Sequence, residues 1–193
     1  MIKVLIGGAA TGWCGLPAID KGAYHVDAVA GPSVWGALLL LALPIAIATS
    51  IVEETLVRGV FMRQLGSVFS PLIALLLSAL VFKFAHLANP AASVAVAMGL
   101  AVQAGLLLCC SYLMTGRLWG AIGIHFAWNF MQAGVVGGAL SGNGVNAIIA
   151  DEPQGPVWLS GGTFEIEGSV LTTLICGLAA FAPMLKALKS SRT

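Results

Sequence analysis

The chain alternates between long runs free of charge and short polar interruptions. No charged residue occurs between Asp27 and Glu53, Arg63 and Lys83, Lys83 and Arg117, Arg117 and Asp151, or Glu167 and Lys186. A helix that crosses a bilayer needs about 20 mostly apolar residues. The gaps therefore predict five transmembrane helices, over residues 35–57, 70–88, 92–114, 118–137 and 167–186. Breakers separate them: Gly66 to Pro71, Asn89-Pro90 and Thr115-Gly116. Pro44 falls inside the first span, where a membrane helix tolerates it as a kink. The expected fold class is all-α, a polytopic membrane helical bundle. Residues 1–32 form a short N-terminal segment, apolar from Met1 to Trp13 but too short and Gly-rich for a span. They read as a truncated or atypical membrane region. Gly138 to Gly162, rich in Gly, Asn and Pro, reads as an external loop.

Composition agrees with lipid as the main solvent. Apolar types make up 59% of the 193 residues and charged types 9%. Soluble domains average roughly 45–50% and about 25%. Mean hydropathy is +0.97. Nine Lys+Arg against eight Asp+Glu leave a net charge of +1, too little basic field to hold a phosphate backbone, so nucleic acid is excluded as a partner. The four cysteines, Cys14, Cys109, Cys110 and Cys176, show no disulfide or C-x-x-C spacing and read as small buried hydrophobes.

The basic residues set the orientation. With five crossings, Arg58, Arg63, Arg117, Lys186, Lys189 and Arg192 fall on one side. Asp20, Asp27, Asp151, Glu152, Glu165 and Glu167 collect on the other, with Lys3 and Lys21. The asymmetry predicts an integral membrane protein whose C-terminus and Arg58/Arg63 and Arg117 turns are cytoplasmic.

An ionisable group at the centre of a membrane helix costs roughly 2.5–3.5 kcal/mol or more, so each needs a reason. Glu53, Glu54, Arg58, Lys83, His86, His125 and Asn129 are the polar residues that stand out. Glu54 and Arg58 are four apart, share a helix face and come in the favourable order. Glu53 points about 100° away and has no local cation. A carboxylate in such a site suits a general base, whereas the plainer reading leaves both glutamates in the interface facing water. His86 ends the second span just before Asn89-Pro90, where it serves either a structural or a catalytic role. Lys83 snorkels and carries no chemistry. His125 and Asn129 share one face of the fourth span. They form either an interhelical clamp or a pair of donors to an oxyanion. Three helices each bring a group that hydrolysis uses, which favours one shared cavity over three unrelated accidents.

The motifs E-E-x-x-x-R, F-x-x-x-H and H-x-x-x-N occur in this order, as Glu53-Glu54 to Arg58, Phe82 to His86, and His125 to Asn129. Over residues 35–137 the chain resembles the CPBP (Abi) membrane proteins, which include the type II CAAX prenyl endopeptidases and bacteriocin-processing or self-immunity proteins. The segment Trp158 to Glu165, continuing to Gly168-Ser169, also resembles bacterial members. The resemblance makes residues 33–193 a CPBP-like intramembrane protease domain. It implies that Glu53 and His86 activate water, that His125 and Asn129 stabilise the oxyanion, and that Glu54 and Arg58 support them. The implied substrate is a lipidated or membrane-embedded peptide or protein, met in the lipid bilayer.

The resemblance to the prenyl endopeptidases implies a glutamate-activated water with no cofactor favoured, and no H-E-x-x-H puts two His on one helix. A divalent metal such as zinc is the alternative, and its ligands would be Glu53, His86 and His125. A non-catalytic self-immunity or scaffold protein of the same family is the competing function. A proton-coupled transporter is less favoured, because no inverted repeat is evident. Gly134 and Gly138 form a small-x-x-x-small pair suited to helix packing. Depth poses a problem. Counted at 1.5 Å per residue, Glu53 and His86 lie about 22–27 Å from the Gly66–Ser70 turn, but His125 lies about 12 Å beyond Gly116. For all three to meet, the hairpin at Arg58–Ser70 is expected to project from the membrane.

Overall fold

The computed structural model describes residues 22–89, 92–137, 140–144 and 146–190. Expectations resting on residues 1–21, Pro90, Gly138 and Arg192 lie outside these. The chain is mostly helical, and each expected span has a helical counterpart. Helix α1 runs from Pro32 to Val68, α2 from Pro71 to His86, and α3 from Val94 to Thr115. Helix α4 covers Leu118–Met131 and continues as the wider turns of Gln132–Val136, and α5 covers Val170–Ser190.

Local chemistry explains the starts and stops. Pro32 and Pro71 sit in the first turns of α1 and α2, where no backbone donor is lost. Ser70 and Ser93 cap α2 and α3, accepting from Ile73 N at 3.4 Å and Val96 N at 3.2 Å. Gly116, in the left-handed region at φ 61°, ends α3.

Helix α1 differs from the expected 35–57. It continues to Val68 because Thr55–Met62 winds as a π-helix rather than ending in a turn. A second π segment, Ala101–Leu106, lies inside α3, and a third, Gln132–Val136, ends α4. Such wide turns advance less per residue than an α-helix and commonly mark functional sites.

Among the described residues, three helical stretches are long and apolar enough to cross a membrane: Pro32–Val68, Val94–Thr115 and Gly162–Phe181. Helix α2 is apolar and shorter, and α4 carries His125, Asn129 and Gln132. Helix α1 packs along α4, α2 lies against the π segments of α1 and α3, and α5 covers α3. The interior is built from small residues such as Ala42, Ala46, Ala74, Ala79, Ala121 and Ala127. Large apolar side chains such as Leu40, Leu41, Leu174 and Leu178 point outward. Lipid is as apolar as leucine, so small side chains that permit close helix approach are what belong inside. Gly105 shows the constraint: a Cβ there would lie 2.9 Å from the Ala79 Cβ of α2. Cys109, Cys110 and Cys176 are buried, as expected.

Two departures concern segments read as irregular. Strand β1 (Tyr24–Val29) pairs antiparallel with β2 (Ile149–Pro153), with an irregularity between Val26 and Ala28. The expected external loop 138–162 therefore contains a strand, and the bundle carries a small sheet. The Tyr24 hydroxyl donates to the Ser160 carbonyl, tying β1 to the short helical turn Val157–Ser160. Before α5 the chain winds through a tight 3₁₀ segment, Gly162–Gly168. Gly161 permits this fold: at φ 82°, a Cβ would fall 1.6 Å from the Glu165 carbonyl oxygen.

Candidate active site

The first motif sits at the junction where α1 widens. Glu54 and Arg58 are both fully buried, and Arg58 Nη1 donates to Glu54 Oε1 at 3.0 Å. The pair predicted from spacing is formed. Arg58 Nη2 also donates to the Ala104 carbonyl at 2.9 Å, in the π segment of α3. The guanidinium lies 4.8 Å from the centroid of Phe82. Arg58 is thus an interior residue and does not belong to the exposed basic set that the charge count assigned to one side. By contrast, the Arg63–Val68 end of α1 has no buried residue.

Glu54 reaches a second partner. His125 Nδ1 lies 2.9 Å from Glu54 Oε1. A carboxylate oxygen accepts, so this nitrogen carries the proton, and Nε2 is the ring's other face. Nε2 stands 3.9 Å from Glu53 Oε2, longer than a direct hydrogen bond. Glu54 therefore holds the histidine and the arginine together, while Glu53 faces the same ring from the other nitrogen. Glu53 is less enclosed, with its side chain 33% exposed against 0% for Glu54.

The second motif works through its aromatic residue. His86 Nδ1 lies 2.8 Å from the Phe82 carbonyl. A carbonyl only accepts, so Nδ1 donates and Nε2 keeps a free lone pair in the neutral ring. The two rings lie 4.3 Å apart, tilted by 35°. Phe82 also meets His125 edge-on at 6.5 Å. Phe82, almost fully buried, is thus the common neighbour of Arg58, His86 and His125. The F-x-x-x-H spacing has a physical meaning: one turn of helix sets both the carbonyl and the ring beneath the histidine.

The third motif is anchored on α1. Asn129 Nδ2 donates to Thr49 Oγ1 at 2.8 Å, and the Thr49 hydroxyl donates to the Ile45 carbonyl. Only one hydrogen of the Asn129 amide is used in this bond.

Glu53, His86, His125 and Asn129 line one cavity of about 360 Å³, with Thr49 and Phe82 among its other walls. Leu140, Ser141 and Asn143, from the segment after α4, close another side. A second cavity of about 40 Å³ adjoins His125 and Asn129 from the α3 side, lined by apolar residues such as Leu100 and Ile124. The depth conflict counted from the sequence does not separate the groups.

Sequence reasoning missed three participants. Thr49 positions Asn129, and Gln103, buried in α3, donates to the Glu167 carbonyl at 2.9 Å and to Thr173 Oγ1 at 2.8 Å. Glu167 was counted among the acidic residues of the outer surface. It is buried, and its carboxylate accepts from Trp128 Nε1 at 3.3 Å and from Ser141 N at 2.8 Å. The available signal was the Gly161-Gly162 and Gly168 bracket, which lets the chain double back and turn the carboxylate inward.

Among the described residues, no three His, Cys, Asp or Glu side chains form a group able to hold a metal ion. Each histidine commits Nδ1 to a protein acceptor, which leaves Nε2 as the ring atom open to water, substrate or a metal ion.

Comparison with protein families matches residues 35–131, half of the chain, to the family described as type II CAAX prenyl endopeptidase Rce1-like. The matched region contains all three motifs. No curated protein and no solved structure matches the chain.

Proposed function

This chain belongs to the type II CAAX prenyl endopeptidase Rce1-like family, and from that premise we propose that it is an intramembrane endopeptidase in which Glu53 and His86 activate a water molecule. The reading rests on one observation: Glu53, His86, His125 and Asn129, from three helices, line the same cavity. The four motif residues are the polar groups that such a hydrolysis requires, set in a bundle whose outer surface is apolar.

The chemistry follows from which atoms are committed. Glu53 is free of the Glu54–Arg58 pair and takes a proton from water. His86 Nε2, a lone pair with its ring locked by Phe82, accepts from the same water and orients it. The water oxygen attacks the peptide carbonyl carbon, and the carbonyl π pair moves to oxygen. The remaining Asn129 amide hydrogen donates to that oxyanion, and so does His125 Nε2 when the ring carries both protons. Collapse of the intermediate breaks the C–N bond, and the proton held by Glu53 passes to the departing amine. Glu54 and Arg58 do not touch substrate in this scheme. Their part is to fix His125 and the α1–α3 contact.

The substrate is a lipidated or membrane-embedded peptide. Its apolar side chain next to the scissile bond fits the small cavity behind His125 and Asn129. We place the Arg63–Val68 end of α1 and the C-terminus on the cytoplasmic side, from the distribution of basic residues along the sequence. The direct test supplies a prenylated peptide ending in a CAAX sequence to the purified chain in vesicles without a solute gradient. Mass analysis is expected to find the C-terminal fragment released by addition of one water. An intact peptide under conditions where the protein is folded would overturn the reading.

A further inference from the structure

Glu167 lies outside the three motifs, and the hydrolysis above does not use it. Its side chain is buried and bonded to two neutral donors, the Trp128 indole and the Ser141 backbone amide. Among the described residues no Lys or Arg forms an ion pair with it. A buried carboxylate held only by neutral donors is a costly way to fill space, and a packed apolar side chain would serve stability as well or better. What the carboxylate adds is two acceptors in fixed directions. Its own backbone is fixed as well, since Gln103 of α3 donates to the Glu167 carbonyl and to Thr173 of α5.

The two donors belong to opposite parts of the site. Trp128 sits on α4 between His125 and Asn129. Ser141 lines the cavity with Leu140 and Asn143. Ser141 also has φ 50°, a left-handed backbone that a residue with a Cβ seldom adopts. Such a conformation persists only where the surroundings impose it. A two-residue turn supplies that shape, with Leu140 and Asn143 exchanging backbone bonds at 2.9 and 3.0 Å and Gly142 also at positive φ, and the Ser141 amide at its tip is what Glu167 anchors to the bundle.

We propose that Glu167 is a positioning residue, whose carboxylate joins the Ser141 amide to Trp128 and so holds segment 140–144 as a wall of the cavity. The proposal rests on reading that cavity as the substrate site. It predicts that Glu167 acts on substrate binding more than on the chemical step.

The test uses Glu167→Gln in the full chain, which replaces one acceptor by an amide NH₂ facing a donor. Hydrogen exchange is expected to speed up at residues 140–144 by about 10-fold, the size of one lost charge-assisted bond, with α3 and α4 unchanged. KM for the prenylated CAAX peptide should rise by about the same factor, with kcat within about 3-fold. Adding Ser141→Gly should restore much of the KM, because glycine takes a positive φ without a Cβ penalty. Unchanged exchange at 140–144, or faster exchange throughout with no rescue by glycine, would overturn the proposal. Trp128→Phe removes only the indole donor and is the milder variant should Glu167→Gln fail to fold. It should raise exchange at 140–144 in the same direction, and no rise there overturns the proposal. The exchange readout needs no cleavage. Localised exchange in a chain that cleaves nothing would sustain the positioning role and remove the endopeptidase reading instead.

Discussion

Glu53 and Glu54 are neighbours in sequence with opposite surroundings. Glu54 is sealed between Arg58 and His125, whereas Glu53 is partly open to the cavity. Substitution should separate them. Glu54→Gln leaves Arg58 buried without its carboxylate partner. Breaking a buried pair from one side costs about 3–5 kcal/mol. The expected outcome is a large loss in denaturant or thermal stability, with activity falling as a consequence. A stability loss below about 1 kcal/mol would show that the pair is not the anchor described here. The difference between the two glutamates was half legible in advance. The i, i+4 spacing to Arg58 is local and can be read from the chain. The bond from Glu54 to His125 joins residues 71 apart, and no local pattern encodes it. Glu167 was misassigned for a related reason. An acidic residue just before an apolar run reads as a boundary, and only the doubled-back 3₁₀ segment turns it inward.

At the scale of elements, the charge-free gaps located all five helices, because exclusion of charge from lipid is a strong and local constraint. They did not locate the end of α1. The chain crosses Arg58 without leaving the helix, since Glu54 and the Ala104 carbonyl accept from its two Nη atoms inside the bundle and Phe82 lies beside the guanidinium. Three π segments were not legible either. Each depends on tertiary partners: the second supplies the carbonyl to Arg58, and the Val57 carbonyl in the first accepts from Ser78 Oγ at 3.3 Å. The pairing of β1 with β2 joins segments more than a hundred residues apart and escapes periodicity for the same reason. The position of the α1–α2 connection is testable. Ser67→Cys places a thiol at an exposed site beside the expected cytoplasmic surface. A membrane-impermeant maleimide should label it in inside-out vesicles and leave it unlabelled in right-side-out vesicles. The reverse pattern would invert the orientation, and no labelling in either would place this connection within the bilayer.

For the whole molecule, the apolar exterior and the polar cavity are two faces of one arrangement. Small residues bring the helices close, large apolar ones face lipid, and the few polar groups converge because lipid leaves them no other place. That convergence, together with membership of a prenyl endopeptidase family, carries the functional account. Its centre is Glu53 as the base that activates water. The most direct measurement compares kcat/KM for a prenylated CAAX peptide between the unaltered protein and Glu53→Gln, with thermal unfolding of both recorded alongside. Loss of a general base removes about 10²–10⁴-fold in rate. The account predicts a loss of that size with an unfolding transition essentially unchanged, because Glu53 lies outside the buried Glu54–Arg58 pair. Cleavage retained within a few-fold in a folded Glu53→Gln protein would contradict it.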